Sequence, residues 1–323
     1  MLLAAGRGKR LAPVTELIPK PLVPVLGIPT IEYQLSNLIS QGQSEVAVNT
    51  HHLARKISEF VESFLKDRGS KIRINVSEER DALLGGAGGI RHAKKFLGDG
   101  HVLTINSDVV CNPNISSLRQ AFDHFNEQGN CKILFLLCPG KLNTLGYGEV
   151  IQTNGQVLKL GAGRIGAPYF SGVAIYELKL FDEFEDGKSY DLVRDVIEPQ
   201  IAKKSVFSVE SDLFWADTGN PQEWWKTHFS VMKFIESTGY SADVFREIIE
   251  KKNIKLSNHQ WVSSGLDFER IQKLWSGSGY LGTGFTQLEN LSHQDKIVGY
   301  GNFNDIERAN NQIQYDSFGF GPF

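Results

Sequence analysis

An α/β fold with a mostly parallel sheet flanked by helices is predicted by the βαβα rhythm of the first hundred or so residues. Two further observations support it. A glycine turn, Gly6-Arg7-Gly8, follows a short apolar run that reads as a strand end, and Ser107-Asp108 follows a second such run. Ligands of these sheets gather beyond the carboxyl ends of the strands, so both segments are expected to face one site.

The elements follow in order. Leu2-Leu3 is a first strand that should lie centrally yet is short by roughly half against the usual five or six residues, so some loss of stability is expected if the chain starts there. Ile31, Leu35, Leu38 and Ile39 recur at i, i+4, i+7 and i+8, an amphipathic helix ending near Gly42. Strand Glu45–Asn49, helix Arg55–Leu65, extended Lys71–Val76, helix Ile90–Leu97 and the buried strand Val102–Ile105 continue the alternation. A helix over Leu118–Phe125 comes next, and Tyr147-Gly148-Glu149-Val150 opens a hairpin turned by Asn154-Gly155, a type I′ signal. Asp191 and Asp195 lie on a helix expected to stop before Pro199, as caps and surface charge. Asn220-Pro221-Gln222-Glu223 caps a further helix whose core contacts are read as Trp225, Phe229 and Met232.

Near Thr238 the texture changes. A helix around Val244–Glu250 precedes a glycine- and polar-rich tail from Ser276, with Tyr280-Leu281-Gly282 and Ile297-Val298-Gly299 its strand-like pieces. The expected division is therefore a catalytic domain over 1–235 and an extension over 236–323, a helix plus a small β-rich annex, cap or partial β-helix. Oligomer contact, as in a homo-oligomer, or closure over the site are the roles open to it.

Composition narrows the class. The 34 basic and 37 acidic residues leave a net charge of −3, which argues against nucleic-acid binding and gives no membrane-surface signal. No apolar run reaches the roughly 18 residues that cross a bilayer. Cys111, Cys131 and Cys138 are too scattered for a disulfide framework or a C-x-x-C metal site, so a cytoplasmic location is expected. Adjacent residues His51 and His52 point in different directions, which suits helix entry better than a metal pair, and His124 reads as structural.

The chemistry begins at Gly6 and Gly8, where backbone amides can turn inward around an anion. Arg10 and Lys20 add fixed positive charge, the guanidinium as a bidentate fork and the ammonium as a point charge. An ordinary βα turn with surface cations is the plain alternative. Neither a P-loop nor a dinucleotide fingerprint is present, since Leu11 stands where the third glycine would be.

The run Leu3 to Pro21, spaced L-x-x-G-x-G-x-R-L-x-P-x-T-x-x-x-P-K-P, closely resembles the signature of the sugar-1-phosphate nucleotidyltransferases. The resemblance covers residues 1 to about 235 and implies the Rossmann-like nucleotide-diphospho-sugar transferase fold. It also implies that Leu3, Ala4, Gly6, Gly8, Arg10 and Lys20 hold an NTP. Leu84-Gly85-Gly86-Ala87-Gly88-Gly89-Ile90 reads equally well as a flexible connector or as a close approach to a ring; the resemblance gives Gly85 and Gly86 to the nucleobase. A carboxylate ending a buried strand needs a partner or a cation, and the resemblance makes Asp108 and Asp217 ligands of Mg2+, with Ser107 in place of the usual glycine.

Gly148, Ser171 and Gly172 are the implied sugar contacts. The Glu-Lys pair that many relatives use on the sugar phosphate is replaced by Lys159-Leu160-Gly161-Ala162-Gly163-Arg164, so either Arg164 substitutes or the sugar subclass differs. The particular likeness is to short uridylyl- and guanylyltransferases acting on N-acetylmuramate, mannose or heptose 1-phosphates. An enzyme joining an NTP to a sugar 1-phosphate is the expectation. A phosphocholine cytidylyltransferase and a non-catalytic nucleotide-sugar-binding paralogue are the rivals.

Overall fold

The computed structural model describes residues 1–68, 72–140, 147–237, 239–252 and 254–257, with short strands at 260–262, 278–281 and 296–299. The first third of the chain builds β1 (Leu2–Leu3), α1 (Val14–Leu17), β2 (Pro24–Val25), β3 (Ile28–Pro29), α2 (Thr30–Ser40), β4 (Glu45–Thr50), α3 (Ala54–Arg68), β5 (Arg73–Glu78) and α4 (Gly85–Ala93). There follow β6 (His101–Asn106), β7 (Val109–Cys111), α5 (Ile115–Gln128), β8 (Ile133–Cys138), β9 (Glu149–Thr153), β10 (Gln156–Gly161) and β11 (Tyr169–Glu177). The chain continues with α6 (Glu198–Ala202), β12 (Val206–Glu210), β13 (Trp215–Asp217), α7 (Pro221–Ile235) and α8 (Tyr240–Lys251).

Nine strands form one sheet in the order β5-β4-β1-β6-β11-β8-β12-β10-β9. The expected α/β architecture is present, with a qualification about direction. From β5 to β6 every pairing is parallel, whereas β11 runs antiparallel between β6 and β8, and β10 pairs antiparallel with both β12 and β9. The hairpin Asn154-Gly155 turns with both residues at positive φ, as its sequence predicts.

Alternating side chains feed two cores. Val46, Val48, Leu134 and Leu136 face α2, α3, α5 and α7, while Ala47, Ile133, Phe135 and Leu137 face α4 and the segment around Phe181 and Val196. Because β8 is covered on both sides, all six of its residues are buried. The first strand is as short as its sequence suggests, yet central: Leu2 and Leu3 pair with Val48 and Asn49 on one side and with Ile105 and Asn106 on the other. The Met1 amino group is buried against the Leu103 carbonyl at 2.6 Å, and burial lowers its pKa to about 5.

Three expectations are corrected. The glycine run does not precede its helix but forms its first turns, because α4 starts at Gly85 and not at Ile90. A Cβ on Gly85, Gly86 or Gly88 would lie 2.5–2.8 Å from atoms of Lys188, Tyr190 or Leu192, so close packing overrides poor helix propensity. Helical winding also continues past Pro199, since a π turn over Val193–Ile197 leads directly into α6 and leaves the proline in the first turn, where an N–H is dispensable. Asp191 and Asp195 do cap there, accepting from the Arg194 and Asp191 amides. On α7 the deep stripe is Trp224, His228, Val231 and Ile235, one residue off the predicted Trp225; Trp225 and Phe229 are half-buried, and Met232 is buried as expected.

Helix α8 joins the same core as α2 and α7, with the Phe245 ring 4.9 Å from Tyr33 and 5.4 Å from Phe234. Beyond it lie β14 (Lys255–Ser257), β15 (Gln260–Val262), β16 (Ser278–Leu281) and β17 (Lys296–Gly299), the last three paired in parallel. Both strand-like pieces of the tail are thus strands, apart from Gly282, which falls outside the described residues.

Candidate active site

At the carboxyl end of β1 the chain leaves the sheet through Ala4 and Ala5, both buried. The Ala4 amide donates to Asn49 Oδ1 at 2.8 Å, which ties the start of the loop to β4. Gly8 adopts φ +62°, and its carbonyl accepts from the Leu11 amide and the Thr15 hydroxyl, each at 2.9 Å. A Cβ there would lie 2.8 Å from Thr15 Cγ2 and 3.2 Å from Lys20 Cβ, so the turn needs glycine on both conformational and steric grounds. Gly6 meets nothing within 4 Å and, with Arg7 and Arg10, is exposed. The loop is anchored at Gly8 and open at Gly6.

Lys20 is buried, and its Nζ lies 2.5 Å from Asp108 Oδ2. Asp108 follows β6, and Asp217 ends β13, which pairs antiparallel with β7 so that Asp217 stands opposite Val109. Thr218 fixes the junction by donating its amide and hydroxyl to the Asp108 carbonyl, at 3.1 and 2.7 Å. The Asp217 carboxyl is raised above the usual range by burial first and by the Asp108 charge second; Lys20, the Tyr147 hydroxyl and Arg10 pull it back. Among the described residues no third His, Cys, Asp or Glu joins them. Two neighbouring carboxylates with free coordination left for water and phosphate oxygens fit a hard divalent cation.

Linked to the Ala4 amide through Asn49 is Glu79, buried at the end of β5. Its Oε1 accepts from Asn49 Nδ2 at 2.7 Å and its Oε2 from the Leu84 amide at 2.8 Å. At the head of α4 the Ala87 and Gly88 amides turn to the Tyr190 carbonyl, at 3.2 and 3.4 Å. The glycines of this run therefore back onto protein, and the space expected for a ring is not made by their missing side chains.

Beside Asp217, Tyr147 donates its hydroxyl to Asp217 Oδ2 at 3.2 Å and stacks on Tyr169 at 5.0 Å; Trp215 meets both rings edge-on. Gly148 is exposed, and a Cβ on it would meet only the Gly161 carbonyl oxygen, at 3.8 Å. Ser171 is turned into the sheet, where its hydroxyl donates to the Leu136 carbonyl at 2.7 Å and accepts from the Val173 amide at the β11 bulge. That hydroxyl is thus engaged within the sheet, which leaves the Ser171 backbone for the expected sugar contact. Gly172 backs onto Asn106. Arg164 forks onto Glu149, Nε to both carboxylate oxygens at 2.9 and 3.0 Å, and holds that carboxyl below its usual range.

The family model for nucleotidyl transferases matches residues 1–233. The chain belongs to this nucleotidyl transferase family. It is 31% identical over 221 residues to an N-acetylmuramate alpha-1-phosphate uridylyltransferase of Neisseria meningitidis, covering 68% of this chain and 92% of that protein. A D-glycero-alpha-D-manno-heptose 1-phosphate guanylyltransferase of Aneurinibacillus thermoaerophilus is 27% identical, covering 73% and 99%. A UTP--glucose-1-phosphate uridylyltransferase of Synechocystis sp. is 26% identical, and there the chain spans 61% of that protein's length. In fold it resembles HddC from Yersinia pseudotuberculosis complexed with GMP-PN, with a TM-score of 0.58 and 22% identity over 71% of this chain and 96% of that one.

For a nucleotidyl transferase the departure at Ser107 has a plain explanation. Its hydroxyl donates to the Leu3 carbonyl at 2.6 Å and so braces the two loops. His51 and His52 are latches, bonding the Glu79 and Thr15 carbonyls at 2.7 and 2.6 Å. Sequence reasoning passed over Asn49 and Glu79, buried polar residues at the carboxyl ends of β4 and β5, where burial demands partners.

Proposed function

We propose that this nucleotidyl transferase moves a nucleoside monophosphoryl group from UTP or GTP to a sugar 1-phosphate. The observation that carries the reading is the buried Lys20 on Asp108, beside Asp217, at the strand ends that also carry the open Gly6 loop. The uridylyl- and guanylyltransferases among its relatives support the choice of base and acceptor.

A phosphate oxygen of the sugar 1-phosphate attacks the α-phosphorus as the α–β phosphoanhydride bond breaks, and pyrophosphate leaves with the bonding pair. Arg10 and Lys20 balance the charge on the phosphates, the Gly6–Gly8 amides orient them, and no covalent enzyme intermediate is needed. The backbone at Leu3 and Ala4 carries the nucleotide, and the Leu84–Gly86 backbone faces the base. Gly148 and the Ser171-Gly172 backbone line the sugar side. Asp108 and Asp217 are the residues to hold Mg2+, which when bound neutralises phosphate charge. An arriving phosphate competes with Asp108 for the Lys20 ammonium.

Tyr147, Tyr169 and Trp215 pack on one another with ring centroids 5.0–5.2 Å apart, so they do not stand apart as a cage for a trimethylammonium group, which disfavours phosphocholine. The proposed division places the catalytic domain over 1–235 and the extension after it, in a cytoplasmic protein. Pyrophosphate release with Mg2+ tests the activity, each NTP being paired with a panel of sugar 1-phosphates and with phosphocholine. Release should require one sugar 1-phosphate with UTP or GTP, and Asp108→Asn should cut turnover by orders of magnitude while keeping the fold. Silence from folded protein that still binds a nucleotide sugar overturns the proposal in favour of a sensor.

A further inference from the structure

The two loops assigned to the nucleotide are joined by an unbroken buried chain of hydrogen bonds. It runs from the Ala4 amide to Asn49 Oδ1 (2.8 Å), from Asn49 Nδ2 to Glu79 Oε1 (2.7 Å), and from the Leu84 amide to Glu79 Oε2 (2.8 Å). Asn49 is 3% and Glu79 2% exposed, so neither side chain is a surface feature. The helix packed over them leaves no slack, because a Cβ on Gly89 would lie 2.7 Å from both Asn49 Nδ2 and Glu79 Oε1. His51 adds a second strut through the Glu79 carbonyl at 2.7 Å. Burying a carboxylate is costly, and of the two N–H groups that meet it one is the Leu84 amide and the other the Asn49 side-chain amide, whose oxygen in turn takes the Ala4 amide.

We infer that Asn49 and Glu79 are positioning residues that set the spacing between the triphosphate loop at Ala4–Gly8 and the base loop at Leu84–Gly86, and so govern NTP binding without touching the reacting atoms. The inference rests on the proposed assignment of those loops to one nucleotide. Neither loop could shift alone: displacing Ala4 pulls on the Asn49 amide, whose nitrogen end holds Glu79 Oε1. A nucleotide spanning both loops then meets a preset separation, which lowers the ordering cost of binding.

Polarity makes the relay testable. Glu79→Gln sets an amide donor against the Asn49 donor or against the Leu84 amide, and Asn49→Asp sets two carboxylates side by side. The double variant restores every bond: the carboxylate now at position 49 accepts from Ala4 and from the new amide at position 79, whose oxygen accepts from Leu84. Each single variant should raise the KM for the NTP by about tenfold or more, the range expected for one hydrogen bond to a charged group, with the sugar-phosphate KM changed by less than about twofold. The double variant should recover most of that loss. Single variants that melt lower yet keep the wild-type NTP KM, or a double variant no better than the worse single one, overturn the inference. Should Asn49→Asp fail to fold, Glu79→Gln against the double variant gives the same comparison. Calorimetric titration with UTP and GTP separates this from the activity itself. If the wild type turns over no pair but the affinities follow the same loss and recovery, the relay stands and the transferase reading falls; if affinity is insensitive to all three variants, the relay falls.

Discussion

Gly8→Ala and Gly6→Ala place the same methyl group two residues apart in one loop, and the geometry predicts opposite outcomes. At Gly8 the backbone sits at φ +62°, where an L-residue costs roughly 1–2 kcal/mol. The new Cβ would also press to 2.8 Å on Thr15 Cγ2 and 3.2 Å on Lys20 Cβ, and such overpacking typically costs about 1–3 kcal/mol. The sum is about 2–5 kcal/mol. For a domain of this size it lowers Tm on the order of 5–15 °C. Gly6 lies outside the left-handed region with nothing within 4 Å, so Gly6→Ala should stay within about 0.5 kcal/mol of the wild type. Its effect should appear instead in the NTP KM, since the methyl group enters the open side of the loop. Thermal melts and initial-rate kinetics on both variants decide it. Equal melting losses, or an NTP KM indifferent to Gly6→Ala, would refute the reading of an anchored and an open end.

Other outcomes are equally specific. Ser107→Gly removes a part-buried side-chain hydrogen bond to the Leu3 carbonyl, which keeps the Ser107 amide as a donor, so it should cost about 0.5–1.5 kcal/mol in urea melts while the carboxylates keep their activity; a loss of metal dependence would contradict that. Ser171→Ala should destabilise by about 1–3 kcal/mol and leave the sugar-phosphate KM unchanged, since its hydroxyl lies within the sheet; a raised KM would place the Ser171 side chain in the sugar pocket. Burial lowers the His228 pKa from 6.5 to about 4, so between those values the unfolded chain binds the extra proton. Stability is therefore complete above about pH 6.5 and falls as pH drops toward 4, by a limit on the order of 3 kcal/mol. Urea melts at pH 7.5 and 5 should show that slope in the wild type and a shallower one in His228→Gln; parallel slopes would reject it.

What the sequence determined by itself was whatever is local along the chain. The Gly6-Arg7-Gly8 turn, the aspartates at 108 and 217, the Asn154-Gly155 hairpin and the Asn220 cap are each written in a few consecutive residues, and each appears where its pattern places it. The βαβα rhythm specified the parallel half of the sheet for the same reason. Only the tertiary structure decided what each residue faces. Lys20 reaches Asp108 across 88 residues, and Trp224 displaces Trp225 from the core because its indole N–H meets the Pro24 carbonyl, 200 residues away. The Cβ side of the α4 glycines packs against Lys188–Leu192, and the Ser171 side chain turns inward at a bulge. Periodicity reports which residues are buried or turn-forming, but a hydrogen bond between distant segments depends on strand register and helix rotation, and these are set only when the whole core packs.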